Sequence, residues 1–257
     1  MKAEEVDQKY SAPAVVQAFE ILTFLGKPKN KKSTLTEISN GTGLNRSTCY
    51  RILQTLVTLK ILLYNEETKK FSLGPYLIVL GNRASDLIDY MTIANDYMVK
   101  ISRLSESTCS LIQRIGDEWV YIEKTIPNSP LSISINVGQR FSLNAGASGK
   151  LFLAYMPEEE RNGILDRIGL KKYTQYTTIE RDKYISELAG IRNQGYAVSV
   201  NEHIEGITGL SFPIENKLGE LEFVITVFII SHLKKEENFT QLINEIKQIT
   251  KELSSFF

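Results

Sequence analysis

Residues 34–54 read TLTEISNGTGLNRSTCYRILQ, a stretch in which glycines separate two short helical patterns. Thr34 stands three residues before Glu37, a spacing that predicts a capping box at the start of the first helix. Gly43 suits the turn that follows, and Asn45 is a favourable N-cap for the second helix. Two short helices joined by a glycine-containing turn are typical of a helix-turn-helix.

The two faces of the second helix differ in character. One face is apolar, and the small side chain of Ser39 in the first helix lets the two helices cross closely. The apolar positions are Cys49, Ile52, Leu53, Leu56 and Leu59. The opposite face carries side chains that can contact phosphates or base edges in a major groove. These are Arg46, Ser47, Tyr50, Arg51 and Gln54. Cys49 lies on the apolar face of the helix, which predicts a small buried side chain. The alternative is a redox-sensing thiol at Cys49 or Cys109.

The flanking segments complete a winged helix. Pro13 can begin a helix, one face of which is apolar. That face carries Val15, Phe19 and Leu22. Residues 61–64 and 70–73 are predicted strands around a turn, with Phe71 and Leu73 facing inward. A hairpin with a basic tip after the second helix is typical of a wing.

Charge is unevenly distributed along a chain whose net charge is zero. Residues 1–80 hold 11 Lys and Arg against 7 Asp and Glu, and residues 81–257 hold 19 against 23. Between residues 9 and 70 the two counts are 10 and 4. The basic first part favours binding of a nucleic acid. The alternatives are a merely solvated face of basic side chains and a winged helix that binds protein.

A length of 257 residues with 42% hydrophobic side chains is enough for two domains with cores of their own. The winged helix-turn-helix, mostly α with a β-hairpin wing, is expected over residues 1–74. Residues 75–95 are a predicted linker helix, because their apolar residues keep helical spacing and no Gly- or Ser-rich tether follows the wing. Leu77, Ile78 and Leu80 face either a second subunit or their own domain.

Residues 96–257 have an α+β pattern. The predicted strands are residues 111–115, 119–123, 131–136, 196–200, 207–214 and 221–230, of which the third rests on the alternation of Leu131, Ile133 and Ile135 with polar residues. The predicted helices are residues 97–104, 147–155 and 157–168, one from a capping box of Thr177 and Glu180 to Gly195, and one through Leu242, Ile246, Ile249 and Leu253. Helices beside a largely antiparallel sheet predict an α+β domain with a cleft.

Catalytic and metal-binding patterns are absent from the sequence. His203 and His232 are the two histidines, and no cysteine or carboxylate lies at metal-ligand spacing around both. Residues 147–150 resemble a phosphate loop only faintly. That motif needs Gly at position 144, where Asn stands, and Ser or Thr at position 151, where Leu stands. We therefore expect no enzymatic activity, no metal and no cofactor. The alternative is an enzymatic or ligand-binding α+β domain whose winged helix serves assembly.

The sequence also bears on the compartment. Two cysteines predict no disulfide framework and hence a reducing cytoplasm. Residues 1–10 are charged and lack an apolar signal core. The longest apolar run, residues 224–230, is far shorter than the roughly 20 residues that span a bilayer. A cytoplasmic protein without a membrane partner is expected.

Three groups of residues carry a resemblance to a known family. The first group is residues 35–38, 43–48, 50–53 and 71–74; the second is Gly138, Gln139, Arg140, Ala145, Gly149, Lys150, Leu153 and Ala154; the third is Gly195, Tyr196, Glu202, His203 and Gly206. In these residues the chain resembles the IclR family of bacterial and archaeal transcription regulators. The resemblance implies an N-terminal winged helix, a helical linker and a C-terminal GAF-like domain that binds a small effector.

The resemblance also implies a function and its sites. It implies a homodimer, or a dimer of dimers, that binds a two-fold operator in double-stranded DNA under the control of the effector. The residues expected to contact DNA are Thr34, Asn45, Arg46, Ser47, Thr48, Tyr50, Arg51, Gln54, Lys69 and Lys70. The residues expected to contact the effector are Ala147, Ser148, Ser199, Gly209, Thr226 and Phe228.

Some positions of the expected effector site depart from the family pattern. Asn144 stands where the family usually has histidine, and residues 199–201 are Ser-Val-Asn where acids are common. Phe228 replaces a small polar residue found in members that bind small keto acids. These departures argue against a glyoxylate- or pyruvate-like ligand and favour a less polar one, such as an aromatic molecule. The alternative is that Phe228 fills the core.

Overall fold

The computed structural model describes residues 12–86, 89–232 and 239–257. The chain divides into two compact units, Met1–Ile88 and Asp89–Phe257. The division does not coincide with the expected boundaries at 74 and 95. The second unit begins with a helix that runs from Asp89 to Ser105 without a break at 95, because its apolar face continues into that unit's core.

Over residues 12–86, the first unit shows four helices, a 3-10 turn at Pro28–Asn30 and a small antiparallel sheet. Its elements are α1 (Pro13–Gly26), β1 (Ser33–Thr34), α2 (Leu35–Thr42), α3 (Arg46–Thr58), β2 (Leu62–Asn65), β3 (Lys70–Leu73) and α4 (Tyr76–Asp86). The sheet has the order β1-β3-β2, so that the wing hairpin is joined by the short strand before α2. This arrangement confirms the predicted winged helix-turn-helix.

Local capping fixes the ends of α2 and α3. The Thr34 hydroxyl accepts a hydrogen bond from the Glu37 backbone, and the Glu37 carboxylate accepts one from the Thr34 backbone at 2.7 Å. Gly43 ends α2 with φ of 73°, a conformation that favours glycine. Asn45 then caps α3 by accepting a hydrogen bond from the Thr48 backbone at 2.8 Å. The predicted capping box, turn glycine and N-cap are therefore confirmed.

The core of the first unit is formed by side chains from α1, α2, α3 and the hairpin. They are Ile21, Leu25, Ile38, Cys49, Leu53, Leu56, Leu62 and Phe71. The expectation that Leu73 faces inward was wrong: it is exposed because it lies at the end of β3. On the predicted apolar faces, Val15 and Phe19 are largely exposed because α1 buries the neighbouring stripe of Ile21 and Leu25. Leu59 is exposed because α3 ends at Thr58.

The second unit is a six-stranded antiparallel sheet with helices on both faces. Its elements are α5 (Asp89–Ser105), β4 (Thr108–Ile115), β5 (Glu118–Thr125), β6 (Arg140–Ser142), α6 (Gly146–Tyr155), α7 (Glu158–Ile168), α8 (Arg181–Gln194), β7 (Ala197–Val200), β8 (Ile207–Glu215), β9 (Leu221–Ile230) and α9 (Phe239–Ser254). The strand order is β6-β5-β4-β9-β8-β7. Alternate residues of β9 belong to two core clusters, one with α6 to α8 and one with α5 and α9. The predicted α+β domain is confirmed.

The predicted strand over residues 131–136 is wrong. This segment pairs with no strand, and the sheet edge is formed by β6 instead. Side chains replace the missing ladder: the Thr108 hydroxyl donates to the Ile133 carbonyl at 2.8 Å, and the Lys124 ammonium donates to the Ile135 carbonyl at 2.6 Å. Leu131 is exposed, so the alternating pattern marks a strap across the sheet and not a paired strand.

The predicted capping box of Thr177 and Glu180 does not form. Glu180 is the N-cap of α8, and no side chain caps that helix end. The Thr177 hydroxyl accepts hydrogen bonds from the backbone of Tyr173 and Thr174 and donates to the Glu202 carbonyl at 2.6 Å. A tertiary contact has therefore replaced the local one.

Candidate functional site

A groove in the first unit lies between α3 and the wing hairpin. Arg46, Tyr50 and Gln54 follow one another four residues apart on α3 and so form one stripe along it. The stripe borders the groove together with Thr34 and Lys69. Tyr50 is half exposed. A stripe of this chemistry, exposed at Arg46 and Tyr50 and lying beside a basic wing, can contact the bases and phosphates of a duplex.

The other expected DNA contacts, Asn45, Ser47, Thr48, Arg51 and Lys70, are not among the residues that border this groove. Asn45 Oδ1 accepts hydrogen bonds from the Ser47 hydroxyl and the Thr48 backbone, so it supports the start of α3. Sequence reasoning missed bordering residues on α2, α3 and the hairpin. They are Leu35, Thr36, Val57, Tyr64, Glu66 and Phe71.

The second unit contains a partly open cavity of about 110 Å³. It lies where the start of α6 meets β5, β7, β8 and β9. All six residues expected to contact an effector line this one cavity. They are Ala147, Ser148, Ser199, Gly209, Thr226 and Phe228.

Gly149 allows α6 to pack closely on the turn that precedes it. A Cβ atom at Gly149 would lie 2.1 Å from the carbonyl oxygen of Leu143 in that turn, so the backbone would have to shift. A Cβ atom at Gly209 on β8 would make an ordinary van der Waals contact of 3.5 Å with the Ala147 side chain. The N-cap of α6, Ala145, makes no side-chain hydrogen bond, so the first-turn N–H groups carry no side-chain cap at the cavity. Such groups bind hydrogen-bond acceptors, including anions.

Three buried hydroxyls form a cluster at this end of the cavity. Ser148 Oγ lies 2.9 Å from Thr226 Oγ1, which in turn lies 2.7 Å from Ser211 Oγ. Ser148 and Thr226 line the cavity. A chain of hydroxyls can reorient its protons, so the cluster can offer either a donor or an acceptor to a ligand.

Aromatic rings form much of the remaining wall. Trp119 stacks on Phe141 at a centroid distance of 4.5 Å, and Tyr121 meets Phe228 edge to face at 5.8 Å. The indole N–H of Trp119 is buried and has no hydrogen-bond partner among the described residues. Sequence reasoning missed Trp119, Tyr121 and Phe141, although the first two alternate on a predicted strand and so share one face.

His203 closes part of the cavity. Its imidazole meets Phe141 edge to face at 5.1 Å and Tyr173 at 4.8 Å. Burial lowers the pKa of His203, and the positive charge of Lys171 adds to the effect. The neutral imidazole is thus favoured. No Lys, Arg, Asp or Glu is among the described residues that line the cavity.

A buried ion-pair cluster lies behind this wall. The Lys150 ammonium lies 2.8 Å from Glu187 and 2.5 Å from Glu202, the residue before His203. Burial raises the pKa of Glu202 despite the opposing effect of Lys150. Asn144, which occupies the family's usual histidine position, donates to the Gly169 carbonyl and accepts from the Tyr173 hydroxyl. Asn144, Lys150, Glu187 and Glu202 do not line the cavity themselves. Their contacts position the segments that form its walls.

Other kinds of site are not found in the described part of the chain. Among residues 12–86, 89–232 and 239–257, no three His, Cys, Asp or Glu side chains are grouped so that they could hold a metal ion. Cys49 and Cys109 are free and buried. Burial raises the pKa of both thiols. No helix within the described residues is long and apolar enough to cross a membrane.

Comparison with known proteins defines the class. Residues 14–66 match the IclR helix-turn-helix domain, and residues 83–255 match the C-terminal domain of the bacterial transcriptional regulator IclR. These matches define the class of the protein as a DNA-binding transcriptional regulator. The HTH-type transcriptional regulator KdgR of Escherichia coli is 32% identical over 82% of this chain and 80% of its own length. The chain belongs to the IclR family.

Other relatives agree. The repressor AllR of Escherichia coli is 25% identical over 99% of this chain and 93% of its own. The crystal structure of an IclR transcriptional regulator from Alicyclobacillus acidocaldarius has a TM-score of 0.85 at 32% identity, and covers 96% of this chain and 99% of that one. The predicted family, fold class and function, a regulator whose DNA binding responds to a small effector, are confirmed.

An IclR homolog from Microbacterium hydrocarbonoxydans has been solved in complex with 4-hydroxybenzoate. Its TM-score is 0.76 at 20% identity, with 95% of this chain and 100% of that chain covered. At 20% identity, this similarity shows a shared fold and nothing further.

Proposed function

We propose that the cavity at the start of α6 is the effector site of this regulator and that its ligand is a compact ring-bearing molecule. One observation carries the proposal: the six expected residues line one cavity whose wall is aromatic and uncharged. Its volume of about 110 Å³ is somewhat below the ~150 Å³ of a cavity that binds benzene. A single small ring suits this space.

The ligand also carries a hydrogen-bond acceptor. The uncapped start of α6 and the Ser148 hydroxyl are donors at the cavity, and Trp119, whose indole N–H is buried without a partner among the described residues, also lines it. A buried donor without a partner costs roughly 1–3 kcal/mol, which an acceptor on the ligand would recover. The 4-hydroxybenzoate complex of the Microbacterium homolog agrees with this chemistry, since that molecule is a small ring with acceptors.

We further propose that α3 enters the major groove of a two-fold operator and that the wing contacts the backbone. The stripe of Arg46, Tyr50 and Gln54, in which the first two side chains are exposed, supports this role, and Lys69 and Lys70 place positive charge on the wing. The remaining contacts are assigned to Thr34, Asn45, Ser47, Thr48 and Arg51. The effector changes operator binding through its differential affinity for the arrangements of the two subunits that do and do not fit the operator.

A homodimer, or a dimer of dimers, is the proposed assembly. Val15, Phe19, Ile78, Val79 and Leu80 are large apolar side chains that the first unit leaves at least 44% exposed. A second copy would cover them, as a two-fold operator requires. We place the protein in the cytoplasm, where its DNA is. We assign it no catalytic activity, because the Ser148 hydroxyl at the cavity is bonded to other hydroxyls among the described residues and not to a base.

The experiment that tests this function has two steps. Fragments of the source genome are retained on the purified protein and sequenced, and a shared two-fold element is the expected enrichment. Small aromatic compounds are then tested for release of that element. Ser199→Leu, which fills the cavity, should abolish the response, and Ser255→Leu on the exposed C-terminal end should retain it. Uniform, sequence-independent retention would contradict the proposal for α3, and an unchanged response of Ser199→Leu would contradict the effector site.

A further inference from the structure

A second space lies beyond one wall of the effector cavity. It also has a volume of about 110 Å³, and its lining is rich in hydroxyls. The polar residues that line it are Glu106, Ser107, Thr108, Ser129 and Ser132. Phe228 and Ile133 line both spaces and are the two side chains shared by both linings. One ring and one branched aliphatic side chain therefore separate an aromatic chamber from a polar one.

The ring of Phe228 has few side-chain neighbours on its own face of the sheet. Its cross-strand partners are Thr108 on β4 and Gly209 on β8, and partners across an antiparallel pair point to the same face. Gly209 contributes no side chain, and the Thr108 hydroxyl is bonded to the Ile133 carbonyl. The Phe228 ring meets Tyr121 on one side and is only partly buried. It borders empty space where most core rings border other side chains.

Ile133 belongs to the strap that the sequence pattern assigned to a strand. The strap is held by hydrogen bonds to its backbone carbonyls, from Thr108 and from Lys124, and Ile133 itself is only partly buried. Truncation of Ile133 thus removes part of the partition without removing a ladder hydrogen bond.

We propose that Phe228 sets the length of the effector by closing a binding site that is otherwise about twice as long. The ring of the effector occupies the inner chamber, and Phe228, supported by Ile133, excludes any substituent that points toward Ser129 and Ser132. Without the Phe228 ring, the outer chamber accepts a neutral, hydroxyl-bearing arm. This inference rests on the proposed effector site.

The test uses two probes that share one ring and one acid group. These are 4-hydroxybenzoate and 4-(2-hydroxyethoxy)benzoate, which differ by a hydroxyl-bearing arm. Binding is followed by the fluorescence of Trp119, the one tryptophan of the chain, which lines the cavity. In the unaltered protein the short probe should bind at least tenfold more tightly than the long one. In Phe228→Ala and in Ile133→Ala this ratio should fall at least tenfold. An unchanged ratio in variants that still bind the short probe would overturn the inference.

A crystal structure of Phe228→Ala provides a second test, which needs no ligand. One continuous cavity from Ser148 to Ser129 is expected. Inward collapse of the strap, which would leave two separate spaces, overturns the inference whichever probe binds; Ile133→Ala supplies the same readout if Phe228→Ala does not fold. If the cavity is continuous but neither probe changes Trp119 fluorescence in any variant, the long cavity stands and the proposed ring-bearing effector fails. The two failures are therefore distinguishable.

Discussion

The ammonium group of Lys150 lies 2.5 Å from the Glu202 carboxylate and is almost fully buried. It also lies 2.8 Å from Glu187 on α8, whose other carboxylate oxygen accepts a hydrogen bond from Thr178. Lys150 thus joins α6, which forms the floor of the effector cavity, to the segment that carries His203. Through its two ion pairs, Lys150 connects α6 to α8 and to the segment before His203.

Lys150→Met should lower the free energy of unfolding of the second unit by about 3 kcal/mol. Removal of one partner of a buried ion pair leaves the opposite charges uncompensated. Urea unfolding followed by Trp119 fluorescence measures the loss in that unit. Lys172→Met, at an exposed lysine, is the control and should change little.

A second substitution separates the ion pair from simple packing. Glu202→Gln in the Lys150→Met background should recover part of the lost stability, because it removes one of the two uncompensated carboxylates. Strictly additive losses for the two substitutions would show that the pair is not coupled.

Because of His203, the free energy of unfolding should decrease as the pH is lowered below 6.5. The pKa of His203 is lowered from 6.5 in the folded protein, chiefly by burial, so folding favours the neutral imidazole and this contribution is lost as the pH falls below 6.5. Glu202, whose pKa is raised, acts in the opposite sense and is most favourable at low pH. The comparison of variants, and not the raw slope, therefore isolates His203.

The measurement is urea unfolding at pH 7.5 and pH 5.5, read from Trp119 fluorescence. The loss of stability between the two values should be smaller in His203→Gln than in the unaltered protein. His232→Gln, at the other histidine, should retain the full loss. An identical loss in His203→Gln would show that the imidazole titrates equally in the folded and unfolded states.

The sequence predicts the first unit well because its signals are local. The box of Thr34 and Glu37, Gly43 and the Asn45 cap all act within a few residues, and each forms as expected. The exposed Val15 and Phe19 differ because helical spacing reveals an apolar stripe but not what covers it. The stripe that the unit itself buries lies next to them.

In the second unit the signals are tertiary, and prediction is less complete. Alternation at residues 131–136 is real, but side chains of β4 and β5 occupy the hydrogen bonds that a strand would use. Thr177 has the spacing of a cap yet bonds the Glu202 carbonyl. The aromatic wall of the cavity required knowledge of which face of β5 meets α6. The partners of Lys150 lie far along the chain, so no spacing rule could have indicated them.

Gly149→Ala should destabilise the second unit by roughly 1–3 kcal/mol, the usual cost of overpacking. An added Cβ atom would lie 2.1 Å from the carbonyl oxygen of Leu143, in the turn just before α6, so the helix and this turn would have to move apart. Gly190→Ala is a matched control, because Gly190 lies inside α8 with nothing within 4 Å of its missing Cβ atom. That control should gain about 1 kcal/mol from helix propensity. Effects of the same sign at both glycines would contradict the close approach of α6.

Arg46 and Lys69 should affect DNA binding in different ways. Arg46→Ala should cost about 1–3 kcal/mol at the operator and relax specificity at one base pair, because Arg46 begins the stripe of α3. Lys69→Ala should weaken all sequences equally and reduce the salt slope of log K by about 1. Lys217→Ala, at an exposed lysine of the second unit, is the control. Binding measured at several salt concentrations to operator and to a mutated site distinguishes the two; equal losses for Arg46→Ala on both sites would make Arg46 a phosphate contact.

Phe19→Asp and Ile78→Asp should each dissociate the proposed dimer. Phe19 is 56% exposed and Ile78 is 66% exposed within the first unit, so neither side chain is needed for that unit's own core. A buried carboxylate in an apolar contact between copies is costly, because it loses its hydration without gaining a partner. Sedimentation velocity should show a smaller species, and operator affinity should fall while the far-UV spectrum stays unchanged. Leu218→Asp, at a leucine of the second unit that is 82% exposed, serves as the control for an added charge. If both variants sediment like the unaltered protein and bind the operator equally well, these two side chains lie outside the interface and the dimer must form through another surface.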